Sequence, residues 1–148
     1  MAEDILDRAA NSAFAQFEAA GHEFDRLSPE TQAFIRVYSA QGIIDNGGLQ
    51  FFFESDWDHK PPYSVISNAY RRIGAIDCAD WLDEAVALFA FENPHLDAQK
   101  RQQRMKSLWA DDVGEIADLD FKLCGNESVW KMLKQFAAKH HEHFSHTG

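Results

Sequence analysis

Cysteine is scarce in this chain. Cys78 and Cys124 stand alone, with no Cys-x-x-Cys pair. A disulfide framework and an all-thiolate zinc site are therefore excluded, and the expectation is free, buried, reduced thiols in a reducing compartment. Long apolar runs are missing as well. No stretch reaches the ~18 residues of a membrane span. The opening Met1-Ala2-Glu3-Asp4 is acidic and has no apolar signal core, so the chain reads as cytoplasmic. Basic residues are few: 14 Lys and Arg stand against 24 Asp and Glu, for a net charge of −10. That balance argues against direct nucleic-acid binding, which needs a basic face. It suits a basic protein partner, or an acidic surface that only keeps the protein soluble. Alternating strands, internal repeats and low-complexity linkers are absent.

What is present is a helical pattern with a large apolar content. Hydrophobic residues make up 45%, and there are 12 Phe and 4 Trp. This is enough for one cored domain over residues 1–148. The spacing predicts an all-α, compact single-domain bundle of about seven or eight helices. The first covers Asp4 to Phe24, with an interruption at Gly21. The second begins at Ser28-Pro29, where Ser28 can cap and Pro29 suits the first helical position. It runs to Ile44 and stops at Asn46-Gly47-Gly48, the strongest backbone-breaking signal in the chain. A short helix, Leu49 to Glu54, follows, with Phe51, Phe52 and Phe53 expected in the core. Asp56 to Pro62 is a loop. Helices are then expected over Tyr63–Ile73 (Ser64 as cap, Gly74 as stop) and from Asp77 as cap through Phe89. A further helix, Ala98–Trp109, takes Asp97 as cap and is basic outside. Next comes a segment opened by Asp111-Asp112 through Ile116, Leu119, Phe121 and Leu123. The last helix starts near Glu127 and ends in a His-rich tail, frayed from about residue 140.

Three ordered pieces carry a resemblance. Tyr38 to Phe52, centred on Asn46-Gly47-Gly48, resembles the Asn-Gly-Gly-Phe-x-Gln-Tyr-Phe signature of the bacterial DNA mimic protein 19 family. Ala69-Tyr70-Arg71-Arg72-Ile73-Gly74-Ala75 looks like that family's Ala-Leu-x-x-Ile-Gly-Ala segment. Leu119-Asp120-Phe121 looks like its late Leu-Asp-x-x-aromatic element. Together they span about residues 30 to 140. Leu49 stands where the family usually has Phe, and Phe52 where Tyr is common. The resemblance implies an all-α fold. For the member that gave the family its name, it also implies an acidic surface that imitates DNA and occupies a DNA-binding regulator. Fold does not carry that activity with it.

The charge is blocked along the chain. Residues 77–97 hold Asp77, Asp80, Asp83, Glu84, Glu92 and Asp97 and no base, while residues 98–110 hold Lys100, Arg101, Arg104 and Lys106 and no acid. Carboxylates three or four apart on a helix lie about 5–6 Å from each other. Asp77, Asp80, Asp83 and Glu84 have that spacing, as do Asp111, Asp112 and Glu115. Such rows can stand in for phosphates before a basic surface. Glu54, Asp56 and Asp58 form a second acidic group. The partner expected is a basic protein such as a DNA-binding transcription regulator. Ordinary helix caps and solvated acidic faces are the simpler account of the same residues.

No catalytic constellation emerges, so the chain is read as non-enzymatic. Its serines lack nucleophile-elbow glycines, and Gly47-Gly48 is followed by no third glycine and no Lys-Ser/Thr. Glu18, His22 and Glu23 lack the second Glu-x-x-His that a di-metal bundle needs. His140, His141, His143 and His146 cluster at the terminus, but no metal and no cofactor are expected. Cys78 reads as a structural thiol. Trp57, between two aspartates, is either a contact anchor for a partner bound through a non-acidic face or a lid folded over the core. Asn46, Gly47 and Gly48 are assigned to the scaffold.

Overall fold

Ser28 opens the helix on which the others are assembled. Its side chain accepts the Thr31 N–H at 3.1 Å and Pro29 fills the first turn, as the sequence predicts. The computed structural model describes residues 4–110 and 114–145. Among them lie seven α-helices and no strand. They are α1 (Ile5–Ala19), α2 (Pro29–Glu54), α3 (Tyr63–Arg72), α4 (Ile76–Ala87), α5 (Ala98–Leu108), α6 (Glu115–Leu123) and α7 (Glu127–Lys139). Helix α2 packs against α1, α3, α5, α6 and α7, and α4 packs against α3 and α6. One continuous core results, with Phe34, Val37, Ala40, Ile44, Leu49 and Phe53 of α2 at its centre.

The expected break falls inside α2. Gly48 has φ 71° and ψ −169°, a conformation essentially reserved for glycine, and the helix kinks there. The segment beyond it, Leu49–Glu54, is too short to hold itself. Both of its ends are held by side chains from elsewhere. At the start, Asp120 of α6 accepts the Leu49 N–H at 2.6 Å. At the finish, Arg101 of α5 donates to the Phe53 carbonyl at 2.8 Å. An anion at the N-terminus and a cation at the C-terminus also match the helix dipole.

A buried polar network ties α2 to its neighbours. Tyr70 donates its hydroxyl to Gln41 Oε1 at 2.9 Å, and Gln41 Nε2 donates to Asp45 Oδ1 and to the Leu123 carbonyl, both at 2.8 Å. Asp45 further accepts the Gly125 N–H at 2.8 Å and the Trp130 indole N–H at 2.7 Å. Gln41 and Tyr70 are fully buried, and each polar group of Gln41 is used. Burial pushes the Tyr70 hydroxyl well above its ordinary pKa, so it stays a donor.

Several expectations are corrected. Phe51, expected in the core, is 45% exposed, and Phe121 is 86% exposed. The helical period explains both: Leu49, Phe52 and Phe53 turn one face inward, as do Ile116, Leu119 and Leu123, and the two phenylalanines lie opposite. Arg101 is not on an outer basic face but buried, at 1% exposure. Ser64 and Asp77 do not cap: Pro62 and Ala75 hold those positions, and Asp77 sits in the first turn of α4. Cys124 is exposed rather than buried. The chain beyond residue 140 stays on the core as far as Phe144, whose ring is 5.0 Å from Phe34, and Gln16 donates to the His143 carbonyl at 2.8 Å. The cap at Asp97 and the stop at Gly74 (φ 97°) are as expected, and Asn126 caps α7.

Candidate functional site

The acidic row of α4 is built by a tight αα turn. Gly74 ends α3 in a positive-φ conformation, and the chain enters α4 directly. Cys78, Ala79, Leu82 and Ala85 then face the core. Asp77, Asp80, Asp83 and Glu84 are left exposed on the opposite side. All four expected residues of this group therefore lie on one solvent-facing surface.

That surface is not uniformly negative. Arg71, projecting from the last turn of α3, donates to Asp80 at 2.9 Å and to Asp83 at 2.5 Å. Hydrogen bonds first to Asp83 and then to Asp80 raise the Arg71 pKa. One cation is thus shared by two carboxylates, while Asp77 and Glu84 make no ion pair among the described residues. A second cation lies nearby: the Lys122 ammonium of α6 is 5.5 Å from the Trp81 ring centroid. The α4 face is an acidic row bordered by Arg71 and Lys122.

Helix α6, packed beside α4, adds exposed Glu115 and Asp118. Asp111 and Asp112 lie outside the described residues. Asp120, which the resemblance placed in a family segment, turns inward and caps Leu49. Among the described residues α6 contributes Glu115 and Asp118 to this acidic surface.

The second group is dispersed by its own hydrogen bonds. Asp56 pairs with the buried Arg101 at 2.9 Å and so serves the fold. Asp58 lies 3.8 Å from His22 Nδ1, and Glu54 accepts from Gln50 Nε2 at 3.1 Å. Trp57 folds back: its ring is 5.4 Å from Phe52, and it is partly buried. Sequence reasoning missed Arg101. A run of alternating Lys, Arg and Gln reads as solvent-facing, and nothing local shows that one of them enters the core.

Asn46 is exposed beside a shallow depression that Ile43, Phe51, Glu54 and Ser55 also line. Ser55 donates to the Phe51 carbonyl at 2.8 Å, so its hydroxyl is engaged in ending the helix. The Phe51 ring lies across Gly47, where a Cβ would collide with it. Cys78 is buried, receives a long hydrogen bond from Asn126 at 3.5 Å, and is pushed up to about 11, first by burial and then by Asp77. Its thiolate is not available at neutral pH. Among the described residues no three His, Cys, Asp or Glu side chains are placed to hold a metal. His146 lies outside those residues. No described helix is long and apolar enough to cross a membrane.

A glycine-kinked central helix, clamped by side chains from α5 and α6 and packed against five other helices, defines an all-α domain whose signature residues serve the scaffold. Residues 25–140 match the family described as DMP19-like protein, and the chain belongs to that family. No curated protein and no solved structure matches it significantly.

Proposed function

We propose that this protein is a non-enzymatic interaction protein that presents the α4 face to a basic, DNA-binding regulatory protein and competes with DNA for it. The observation that carries the reading is the exposure of Asp77, Asp80, Asp83 and Glu84 on a single helix face beside Glu115 and Asp118. Family membership supports it, and so does the net charge of −10. Carboxylates at one-turn intervals form a row of charges about 5–6 Å apart, as the phosphates of a strand form a row. The geometry revises the expected contact set. Asp77 and Glu84 are its unpaired members, Asp80 and Asp83 act through the charge left after Arg71, and Asp56 belongs to the fold.

The test is competition. Immobilised protein is challenged with lysate of its source cells at low salt, and the retained proteins are eluted with duplex DNA. The reading expects DNA-binding proteins to be released by duplex and to stay bound in buffer alone. Release by neither DNA nor added salt would exclude an acidic mimic and favour binding through an apolar feature such as exposed Phe121.

A further inference from the structure

A groove lies between the start of α4 and the start of α7. Ile76, Trp81, Val129 and Met132 line it, and its volume is about 190 Å³, room for one aliphatic side chain. Val129 belongs to the buried core, Trp81 and Met132 pack on that core while staying partly open, and Ile76 is 50% exposed in the first turn of α4. Asn126, Ser128 and Asp77 are the polar side chains of the lining. Asn126 is engaged within the protein: its amide donates to the Lys122 carbonyl at 3.0 Å and to Cys78 Sγ at 3.5 Å, and its oxygen accepts the Ser128 N–H at 3.1 Å. Asp77 is the one charged residue of the lining, and it has no ion pair among the described residues.

The phase of α4 divides its outer surface. Asp80 and Asp83 lie toward α3, where Arg71 pairs with both. Asp77, Trp81 and Glu84, at i, i+4 and i+7, share the other stripe. The two unpaired carboxylates of α4 therefore flank Trp81, a wall of the groove. That ring already faces one cation, the Lys122 ammonium 5.5 Å from its centroid. An apolar slot edged by unpaired negative charge and by a cation-facing aromatic is complementary to a basic segment that also carries an aliphatic side chain. A second copy of this chain, with the same net charge of −10, is not complementary to it, and neither is an anionic ligand or headgroup.

We infer that the α4–α7 groove receives one aliphatic side chain of a basic protein segment, whose flanking Lys or Arg side chains meet Asp77 and Glu84. The inference rests on the reading of the α4 face given above and adds a selectivity element to it. Carboxylates alone attract any basic protein and do not tell one from another. A slot that buries one apolar side chain beside them does, because a segment with a polar residue at that position loses the contact. Phosphates offer no such slot, so the partner is read by an apolar contact that DNA does not make there.

The experiment is a titration of the full chain, followed by two-dimensional ¹H–¹⁵N NMR, with three end-capped pentapeptides. One has four lysines around a central leucine, the second has serine in place of the leucine, and the third keeps the leucine and has glutamates in place of the lysines. The leucine-centred lysine peptide is expected to shift the Trp81 indole resonance and to bind about tenfold tighter than its serine twin, the worth of burying most of a leucine side chain. Added salt should weaken both lysine peptides and leave their ratio in place, since the apolar contact is not screened. Ile76→Ser should bring the leucine peptide down to the serine one, and the comparison on the unaltered protein stands even if that variant folds poorly. Equal binding of the two lysine peptides, both tighter than the glutamate peptide, would overturn the groove and leave the acidic face standing. A glutamate peptide that binds as tightly as its lysine twin would overturn both. No saturable binding of the leucine-centred lysine peptide, shifts confined to residues away from the groove, or a folded Ile76→Ser protein that keeps the preference would also overturn the inference.

Discussion

Asp120 and Gly48 are built for each other: a Cβ on Gly48 would lie 2.7 Å from Asp120 Oδ1, the same oxygen that accepts the Leu49 N–H. The glycine is required both by its positive φ and by the carboxylate standing in the space a side chain would take. Gly48→Ala is expected to cost about 1–3 kcal/mol through backbone strain alone. Asp120→Ala should cost about 1–2 kcal/mol as a lost helix cap. Because the two act at one point, the double variant should lose less than the sum of the singles. Urea denaturation of the four proteins checks this, and strict additivity would contradict the pairing.

Arg101 is the other clamp of the Leu49–Glu54 segment. Its three hydrogen bonds reach the Phe53 carbonyl, the Pro94 carbonyl and Asp56. Arg101→Ala should destabilise by about 3 kcal/mol or more, since it strands a buried carbonyl and opens the core. Asp56→Asn should cost less, because Asp56 is half exposed and the other two bonds remain. The order of the two losses in thermal or chemical unfolding is the measurement. An innocuous Arg101→Ala would mean that the side chain is not buried as described.

The elements were legible in the sequence, and their ties were not. Ser28-Pro29, Gly74 and Asp97 act where local chemistry says they should, because caps and stops depend on a few neighbouring residues. The kink at Gly48 was legible for the same reason. Asp120, Arg101 and Asp45 were not, since each is a charged residue in a polar run whose partner lies far along the chain. The acidic residues of α4 were legible as a row. Arg71, which neutralises part of that row, comes into reach only through the α3–α4 turn. Phe51 was misplaced by reading apolar content without phase.

The two cysteines should differ sharply toward a thiol reagent. Cys124 is exposed and Cys78 is buried, with its pKa near 11. One of the two thiols should react quickly in the native protein and the second only on unfolding. Two equally fast thiols would contradict the burial of Cys78.

Alkaline stability follows from the same burial. The Cys78 thiol rises from an ordinary 9.0 to about 11 and the Tyr63 hydroxyl from 10.0 to about 12, both chiefly through desolvation. Both folded-state pKa values lie above the unfolded ones. Their contribution is therefore fully present below about pH 9 and is lost as pH rises toward 11 and 12. Thermal unfolding between pH 8 and 12 should show a falling midpoint, and Cys78→Ala should remove its first part. A flat profile over that range would contradict the assignment.

Arg71 offers a way to raise the charge of the α4 face without touching its carboxylates. Arg71→Gln frees Asp80 and Asp83 and, as a half-exposed ion pair, should cost only about 0–1 kcal/mol. If the face is the binding surface, affinity for a basic partner should rise and become more salt-dependent. Weaker binding by a folded Arg71→Gln protein would count against it.

The role of the α4 face is tested by reversing charge where no ion pair is broken. Asp77→Lys with Glu84→Lys alters the α4 face alone, and Glu54→Lys with Gln50 intact serves as the control on the other acidic group. Circular dichroism verifies that both variants fold. Affinity for the DNA-displaceable partner is then measured at low and high salt. Binding should collapse at low salt in the α4 variant and persist in the Glu54→Lys control. Unchanged binding by the folded α4 variant would contradict it.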